Sequence, residues 1–373
     1  MAAYRKYWWL VCSLGGSAVV ALLGVAIYLE PNSGDLTRLG GYPENWFGWN
    51  GFQERIEEQL YSEGVYDRYY DVVVFGDSFS CRGTGEQTDR RTYWQNYLAR
   101  DTGLSVIAFD LRATDFRGVL ADPAYRSRPP RVFVFENVER DMVYIPWSTG
   151  FEGYAGPCEV EPGGSPTPLA CHPLAMGVEL IDRSEIWAMG GQNSAIARLN
   201  QAGNVLKKRL SQDVLGMDEG EVVRLPLGRR ELFSNAADDQ LLVYKKDFLK
   251  GQWDERRMHD LVCKLIGLQN LVESNGDTFF VLLIAPDRLT VYRPYVRDNQ
   301  WLPEGKIPQL DGYGLHLVRA DRALGRAIEE GVRDIYLPND THLGARGHNI
   351  VARETLRMLV EYDVIRTMRA RQQ

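Results

Sequence analysis

The feature that most constrains the fold is a long N-terminal run without charged side chains, from Tyr7 to Leu29. As an α-helix these 23 residues would be about 34 Å long, enough to cross the hydrocarbon core of a bilayer. Arg5 and Lys6 precede the run and indicate its cytoplasmic end. A cleaved signal peptide is the alternative, but its apolar region is shorter and ends in small residues, whereas bulky residues end this run. The sequence therefore predicts an uncleaved membrane anchor in residues 1–30, with the rest of the chain outside the cytoplasm.

The composition of the whole chain is that of a globular protein. Of the 373 residues, 45% are hydrophobic and 11% aromatic, which is enough to bury a full core. The 43 basic and 50 acidic residues give a net charge of −7, and the body of the chain has no basic cluster for nucleic-acid phosphates. We therefore expect no nucleic acid among the partners. Residues 31–69, which begin with a stretch rich in Gly, Pro and Asn, are predicted to be a juxtamembrane linker.

Short apolar runs alternate with helical segments along residues 70–373, the predicted main domain. The runs predicted as strands are 71–75, 104–109, 131–135, 277–285 and 333–337, and the predicted helices are 92–100, 249–273 and 346–369. This alternation is typical of an α/β fold in which helices flank a mostly parallel sheet. Residues 143–240 interrupt the pattern with loop-like sequence and are predicted to be an insertion.

The insertion contains Cys158 and Cys171 within a segment rich in Gly and Pro. Such a segment has little to hold it together, and a disulfide bond between these cysteines would close it in an oxidising compartment. Two free thiols are the alternative. The sequence has neither a C-x-x-C pair nor an H-E-x-x-H helix, so we expect no metal and no cofactor.

The first predicted strand ends in Gly76-Asp77-Ser78-Phe79-Ser80. Parallel sheets bind ligands beyond the carboxyl ends of their strands, so Ser78 stands where catalysis is expected. Gly76 permits a tight turn, and a serine hydroxyl beside a free backbone N–H is what acyl transfer requires. The motif differs from the G-x-S-x-G elbow of α/β-hydrolases. The alternative is an ordinary cap, because Ser and Asp often precede a helix.

The segment Asp340-Thr341-His342 follows the last predicted strand, so we expect it at the same edge of the sheet as Ser78. Histidine is the usual general base near neutral pH, and a carboxylate orients its ring. One alternative is that Asp340 caps the last helix and His342 is an exposed helix residue. Another is that His348 is the base. His342 has a carboxylate at short range, so Ser78, His342 and Asp340 are predicted to form a catalytic triad.

Together, G-D-S-F-S and D-T-H resemble the motifs of SGNH (GDSL-like) hydrolases and, more narrowly, of the periplasmic alginate O-acetylation proteins. Residues 136–140 are similar to the E-x-x-E-R segment of those proteins, residues 284–292 to their apolar strand followed by P-x-K-x-x-x-Y, and residues 340–344 to their D-T-H-W-x-x-x-G. The chain departs from that family because the two motifs occur in the opposite order and Leu343 replaces Trp. Both differences weigh against alginate itself as the substrate.

The resemblance implies an SGNH-hydrolase-like, flavodoxin-like fold and a membrane-anchored periplasmic O-acetyltransferase. The enzyme would carry an acetyl group on Ser78 and transfer it to hydroxyl groups of an exported polysaccharide. A membrane-bound O-acyltransferase in the bacterial inner membrane would be the partner that supplies the acetyl groups. A carbohydrate acetyl-esterase with the same triad and a non-catalytic glycan-binding scaffold remain alternatives.

The resemblance also implies roles for residues around the triad. The oxyanion of the acyl-transfer intermediate would be bound by the backbone N–H of Ser78 and by Asn137. Substrate contacts are expected from Asp77, Arg140 and Tyr292.

Overall fold

Eight strands lie within the part of the chain that this computed structural model describes, which is residues 2–28, 34–42, 47, 56–81, 90–144, 203, 206–208, 211 and 220–365. They are β1 (Tyr61–Glu63), β2 (Val72–Gly76), β3 (Val106–Asp110), β4 (Val132–Val138), β5 (Val222–Pro226), β6 (Gln240–Tyr244), β7 (Phe279–Ala285) and β8 (Leu317–Val318). Six of them form one sheet in the order β1-β3-β2-β4-β7-β8, with every neighbouring pair parallel. β5 and β6 form a separate antiparallel pair. The predicted α/β class with a mostly parallel sheet is confirmed.

The central strands are continuous apolar runs because both faces of the sheet are covered. Every residue of β2 and β4 is buried, and so is all of β7 after its first residue. Successive side chains point to opposite faces, so Val72 and Val74 lie in one hydrophobic cluster and Val73 and Phe75 in another. Full burial of such side chains stabilises the fold by about 1.5–3 kcal/mol each.

Helices flank the sheet on both faces. In chain order, the α-helices with bounds inside the described ranges are α1 (Ala2–Tyr28), α2 (Asp35–Gly40), α3 (Trp94–Thr102), α4 (Phe116–Ala121), α5 (Pro123–Ser127), α6 (Glu255–Glu273), α7 (Arg288–Tyr292), α8 (Ala320–Glu329) and α9 (Ala345–Glu361). Short 3-10 helices lie at Arg90–Thr92, Glu139–Asp141, Lys245–Gln252, Arg293–Tyr295, Asn299–Trp301 and Ile307–Leu310. The longest helix of the main domain, α6, begins where the side chain of Asp254 accepts a hydrogen bond from the backbone N–H of Arg257.

The N-terminal helix α1 is apolar and lies apart from the sheet. Residues Tyr4–Val25 have a mean hydropathy of 1.9 and none of that stretch is buried against the rest of the protein. Among the described residues, this is the one helix that is long and apolar enough to cross a membrane.

The sheet has one point at which the strand order reverses. Without the edge strand β1, the remaining strands take the order 2-1-3-4-5 along the chain, which is an order of doubly wound α/β folds. β3 joins β2 on one side and β4 joins it on the other, so a crevice lies beyond the carboxyl ends of β2 and β4. Ligands of open α/β sheets bind at such a crevice, and Ser78 follows β2 directly.

The predicted strand at 333–337 is wrong. Within this stretch Tyr336 makes an isolated bridge with Leu343, and the last strand of the sheet is instead β8. Asp334 has φ of +56°, in the left-handed region, which breaks an extended run.

Part of the predicted linker 31–69 belongs to the folded domain. β1 pairs with β3 at the edge of the sheet, and Leu36 of α2 is buried with Val222 and Leu242 in a third hydrophobic cluster. The end of the predicted insertion 143–240 is also ordered around the antiparallel pair of β5 and β6.

The predicted disulfide bond joins Cys158 and Cys171, and both of these cysteines lie outside the described residues. Among the described cysteines, Cys12 and Cys81 carry free thiols, whereas Cys263 on α6 takes part in a disulfide bond. The pairing of Cys158 with Cys171 stays a prediction that peptide mapping without reduction can check.

Candidate functional site

Ser78 lies in a tight turn directly after β2, residues 76–81, which we call the serine turn. The turn is closed by its own backbone, because the N–H groups of Ser80 and Cys81 both donate to the carbonyl oxygen of Asp77, at 3.0 and 2.7 Å. The backbone N–H of Phe79 donates to Asp77 Oδ1 at 2.9 Å. Ser78 is the one residue of this turn that is not buried. Its hydroxyl is therefore placed to meet a substrate at the switch point of the sheet.

Asp77 anchors the serine turn to the neighbouring strand β4. Its Oδ2 accepts hydrogen bonds from the backbone N–H of Val138 at 2.8 Å and from Asn137 Nδ2 at 3.2 Å. Burial raises the pKa of the Asp77 carboxyl, although the N–H donors of Phe79 and Val138 oppose this. The side chain that the sequence assigned to substrate contact thus joins the ends of β2 and β4.

Ser80 is fully buried beneath the turn and is fixed on both sides. Its Oγ donates to Glu136 Oε2 at 2.8 Å and accepts from Trp94 Nε1 at 2.8 Å. Glu136 Oε2 also accepts from the backbone N–H of Asp77 at 3.1 Å. Burial, together with the nearby charge of Asp77, raises the pKa of Glu136 well above its usual value. The two serines of the motif therefore differ in role, since Ser80 supports the turn and Ser78 faces solvent.

Gly76 is required by this close packing. A Cβ atom at this position would lie 2.6 Å from Glu136 Oε2 and 2.5 Å from Ser80 Cβ, and neither of these buried atoms can move away easily. The first glycine of the motif thus allows Glu136 to reach under the serine turn.

The Asp340–His342 pair lies in a second turn, residues 337–344, which we call the histidine turn. The structure brings the two side chains together, with His342 Nδ1 at 2.6 Å from Asp340 Oδ1. Both side chains are buried. Burial acts to raise the pKa of Asp340, but the charge and hydrogen bonds of His342 outweigh it, so that this pKa is lowered. When the ionised Asp340 accepts a hydrogen bond from Nδ1–H, Nε2 is the nitrogen that is left to take up and release a proton.

Arg288, the first residue of α7, holds the histidine turn from inside the protein. Its Nη1 donates to the carbonyl oxygens of Leu337 at 2.6 Å and Asp340 at 2.8 Å, and its Nη2 donates to the carbonyl oxygen of Pro338 at 2.7 Å. The guanidinium lies over the ring of Phe233, 4.7 Å from its centroid. Burial lowers the pKa of Arg288 to about 10, so the side chain stays charged near neutral pH. The sequence marks this position only as part of the segment similar to P-x-K-x-x-x-Y, and that likeness gave Arg288 no role of its own.

The two turns lie at the same edge of the sheet and come close to each other. The ring of Phe79, the residue after Ser78, lies 5.3 Å from the ring of His342 between centroids. Arg288 joins the histidine turn to the end of β7, and β4 lies between β2 and β7. The fold therefore brings the turn that carries Ser78 and the turn that carries His342 to one edge of the sheet, and the catalytic triad stays a prediction.

His348, the alternative base, is fully buried in α9 and its ring packs edge-on against Tyr93 at 5.2 Å. Burial, with a smaller contribution from His342, lowers the pKa of His348 to about 3. Its ring has no hydrogen bond from either nitrogen to any group in the described part of the chain. A histidine without a carboxylate partner or access to solvent is poorly suited to act as a general base.

Two further predicted site residues, Asn137 and Tyr292, lie in the interior of the protein, where a substrate cannot reach them. Asn137, the predicted oxyanion donor, is fully buried and donates from Nδ2 to Asp77, so it supports the serine turn. Tyr292, a predicted substrate contact, is fully buried and packs against Phe233 and Tyr336. Both expectations need correction, because these side chains fill the interior beneath the site.

Arg140, the third predicted substrate contact, is part of a buried ion network. Its Nη1 lies 3.3 Å from Asp287 Oδ1 and 3.5 Å from Asp247 Oδ1. Lys250 Nζ lies 2.8 Å from Asp287 Oδ2 and 3.1 Å from Glu139 Oε2. Since Glu139 and Arg140 follow β4 and Asp287 follows β7, this network ties the ends of the two strands together. The E-x-x-E-R segment therefore has a structural explanation in this protein.

Asp35 is an unexpected member of the site. The backbone N–H of Thr341 donates to Asp35 Oδ1 at 2.8 Å, and Thr341 Oγ1 donates to Asp35 Oδ2 at 2.5 Å. Asp35, Asp340 and His342 each offer an atom within 4.8 Å of the others, a spacing that a metal ion could use. Here hydrogen bonds account for the arrangement, since both Asp35 oxygens accept from Thr341 and Asp340 accepts from the imidazole.

The arrangement as a whole provides a half-buried serine, a histidine that contacts a carboxylate whose pKa is lowered, and a backbone N–H at the switch point of a parallel sheet. Comparison of the chain with protein-family models, with curated proteins and with solved structures found no match.

Proposed function

We propose that the chain is a membrane-anchored periplasmic O-acetyltransferase of the SGNH type that acetylates hydroxyl groups of an exported polysaccharide. One observation carries the proposal. Ser78, the half-buried residue of a turn whose other residues are buried, shares one edge of the sheet with a buried Asp340–His342 pair. A hydroxyl is a weak nucleophile unless a base takes its proton, and this pair supplies an oriented base.

In this proposal the reaction has two halves. Ser78 Oγ attacks the acetyl carbonyl of the donor while His342 Nε2 takes the hydroxyl proton, and the leaving group departs with that proton. The product is an acetyl ester on Ser78. The acceptor hydroxyl then attacks the ester, His342 takes its proton, and Ser78 Oγ recovers that proton as the new ester leaves. Asp340 stabilises the imidazolium in both halves, and the backbone N–H of Ser78 binds the oxyanion.

The distance from the anchor to the site supports an acetyl supply from the membrane. Tyr28 ends α1 and Gly34 lies six residues further along the chain. An extended chain covers at most about 3.6 Å per residue, so these two residues lie within about 22 Å of each other. Gly34 is in close contact with the backbone of Asn339 in the histidine turn. If α1 crosses the membrane with Arg5 and Lys6 on the cytoplasmic side, the site works close to the outer surface of the bilayer.

The proposal is tested with the full-length chain in detergent, a chromogenic acetyl ester and oligosaccharide acceptors. We expect release of the chromogen and a mass increase of one acetyl group on the acceptor. Ser78→Ala and His342→Ala should each lower turnover at least about 10³-fold, because nucleophile and base act as a unit. Ser127→Ala, at an exposed serine that ends α5, is the matched control and should keep full activity.

The outcomes separate the candidate functions. Free acetate without an acetylated acceptor would support an acetyl-esterase with the same triad. Absence of turnover together with absence of Ser78 labelling by a fluorophosphonate would refute the enzyme and favour a glycan-binding scaffold. Turnover that survives Ser78→Ala, or that a chelator abolishes, would overturn the serine mechanism.

A further inference from the structure

The short segment that follows the anchor, residues 34–42, packs directly on the histidine turn. The backbone N–H groups of Leu36 and Thr37 both lie within hydrogen-bond distance of the carbonyl oxygen of Asn339, at 3.1 and 3.4 Å. Leu36 and Thr37 are fully buried. A Cβ atom at Gly34 would lie 2.0 Å from that same carbonyl oxygen, so only glycine allows this approach. The segment is thus part of the packed domain.

Asp35 makes the contacts that reach the catalytic pair. Its carboxylate accepts the two hydrogen bonds from Thr341, which stands between Asp340 and His342. Its backbone N–H donates to Asp340 Oδ2 at 3.2 Å, on the oxygen that does not bind the imidazole. Both oxygens of Asp340 are therefore fixed, one by His342 and the other by Asp35.

We propose that Asp35 is a positioning residue of the site, which holds the histidine turn so that His342 faces the nucleophile. The inference rests on the proposed acyl transfer at Ser78. A misplacement of a catalytic group by about 1 Å can lower a rate by about 10²-fold, so the loss of two hydrogen bonds at Thr341 is enough to matter. The anchor and the catalytic pair are thereby joined through a few residues of chain.

The surroundings of Asp35 add a dependence on pH. The charged groups that act on it are Asp340 and His342 of the histidine turn and Arg288 of α7. Burial and the charge of Asp340 raise the pKa of Asp35 to about 6. Below that pH the protonated side chain accepts the Thr341 hydrogen bonds less well, so kcat of the wild-type protein should fall. In Asp35→Asn this contribution to the acid limb should be missing.

The test compares Asp35→Asn with the wild-type full-length chain in detergent. In Asp35→Asn the amide nitrogen of the new side chain cannot accept the hydrogen bonds that Thr341 donates to the carboxylate. We therefore expect kcat for the acetyl ester to fall about 10- to 100-fold with KM little changed. Thr341→Val removes one of the partners and should lower kcat in the same direction, and the double variant should lose little more than the worse single variant. Asp101→Asn, at a surface acid of α3, is the matched control and should behave as the wild type.

Hydrogen exchange of the amides of residues 339–342 gives a readout that does not need activity. Exchange should rise in Asp35→Asn and remain unchanged in Asp101→Asn. Wild-type kcat, pH profile and exchange in Asp35→Asn would refute the positioning role while leaving the proposed function intact. If the wild-type protein has no activity and Ser78 does not label, the proposed function fails instead. If hydrogen exchange of residues 339–342 is also unchanged in Asp35→Asn, the stabilising contact between Asp35 and Thr341 is refuted as well.

Discussion

The serine turn and the histidine turn meet at one edge of the sheet but are held in different ways. The serine turn takes its support from Asp77 within the turn and from Glu136 and Trp94 on adjoining elements. The histidine turn depends on Arg288 and on Asp35, which precedes Thr341 by 306 positions. The first turn is therefore specified by the strands that form the sheet. The second depends on contacts with residues that are distant from it in the sequence.

The difference has a consequence for stability and for activity. Damage to the supports of the serine turn should act on the packed core, because Glu136 belongs to β4, Ser80 follows β2, and both are fully buried. Damage to the supports of the histidine turn should act first on the geometry of Asp340 and His342. The two turns can therefore be disturbed separately, and the predictions below run from the largest expected effect to the smallest.

The largest effect is expected from Arg288→Met. The substitution leaves three buried carbonyl oxygens without a charged donor, and each unsatisfied buried group costs about 1–3 kcal/mol. We expect the free energy of unfolding in urea to fall by about 3 kcal/mol or more. Hydrogen exchange should rise in the histidine turn while the serine turn keeps its protection.

Two variants control this experiment. Arg288→Lys keeps the charge but not the planar fork that binds several carbonyl groups, so it should restore only part of the stability. Arg326→Met removes a guanidinium whose side chain is 64% exposed and should change the free energy of unfolding by less than about 0.5 kcal/mol. Equal effects at Arg288 and Arg326 would contradict the role given to Arg288.

A smaller effect is expected at His348, whose buried ring packs against Tyr93. Its pKa is about 3 in the folded protein and about 6.5 in the unfolded chain, so between these values the unfolded chain binds more protons. The contribution of His348 to stability is therefore present above about pH 6.5 and is lost as pH falls. At pH 5 the loss is about 2 kcal/mol.

His348→Phe removes the titrating group and keeps an aromatic ring against Tyr93. The free energy of unfolding of this variant, measured in urea between pH 7.5 and pH 5, should fall less steeply than that of the wild-type protein. Parallel curves for the two proteins would show that folding does not lower the pKa of His348.

The sequence predicts a strand or a site residue well when the residues that specify it are close together in the chain. β2, β4 and β7 are long buried runs of Val, Leu, Ile and Phe, and each was predicted within a few residues of its bounds. The strands β1 and β8 have three and two residues and carry no periodic signal. The apolar residues near Tyr336 look like a strand in the sequence, yet the left-handed backbone at Asp334 prevents one.

The same distinction between local and distant determinants holds at the candidate site. Ser78 stands at the end of a strong strand, and Asp340 is two positions from His342, so both placements were predictable. Asp35 and Arg288 were missed because their partners are distant in sequence and no periodicity marks them. The resemblance to the alginate O-acetylation proteins implied an oxyanion donor at Asn137 and substrate contacts at Arg140 and Tyr292. Their burial is a property of the tertiary packing.

The smallest effect is expected from Ser80→Ala, which tests whether the two serines of the motif have separate roles. Removal of the Ser80 hydroxyl leaves Trp94 Nε1 without its acceptor and takes one donor from Glu136 Oε2. A lost buried hydrogen bond of this kind should lower the free energy of unfolding by about 1–2 kcal/mol. Asp77 still closes the serine turn through the Phe79 N–H, so labelling of Ser78 by a fluorophosphonate should proceed at close to the wild-type rate. Labelling measured by mass spectrometry and stability measured in urea distinguish the outcomes. A mark on Ser80 in the wild-type protein, or loss of labelling without loss of stability in Ser80→Ala, would mean that Ser80 and not Ser78 is the nucleophile.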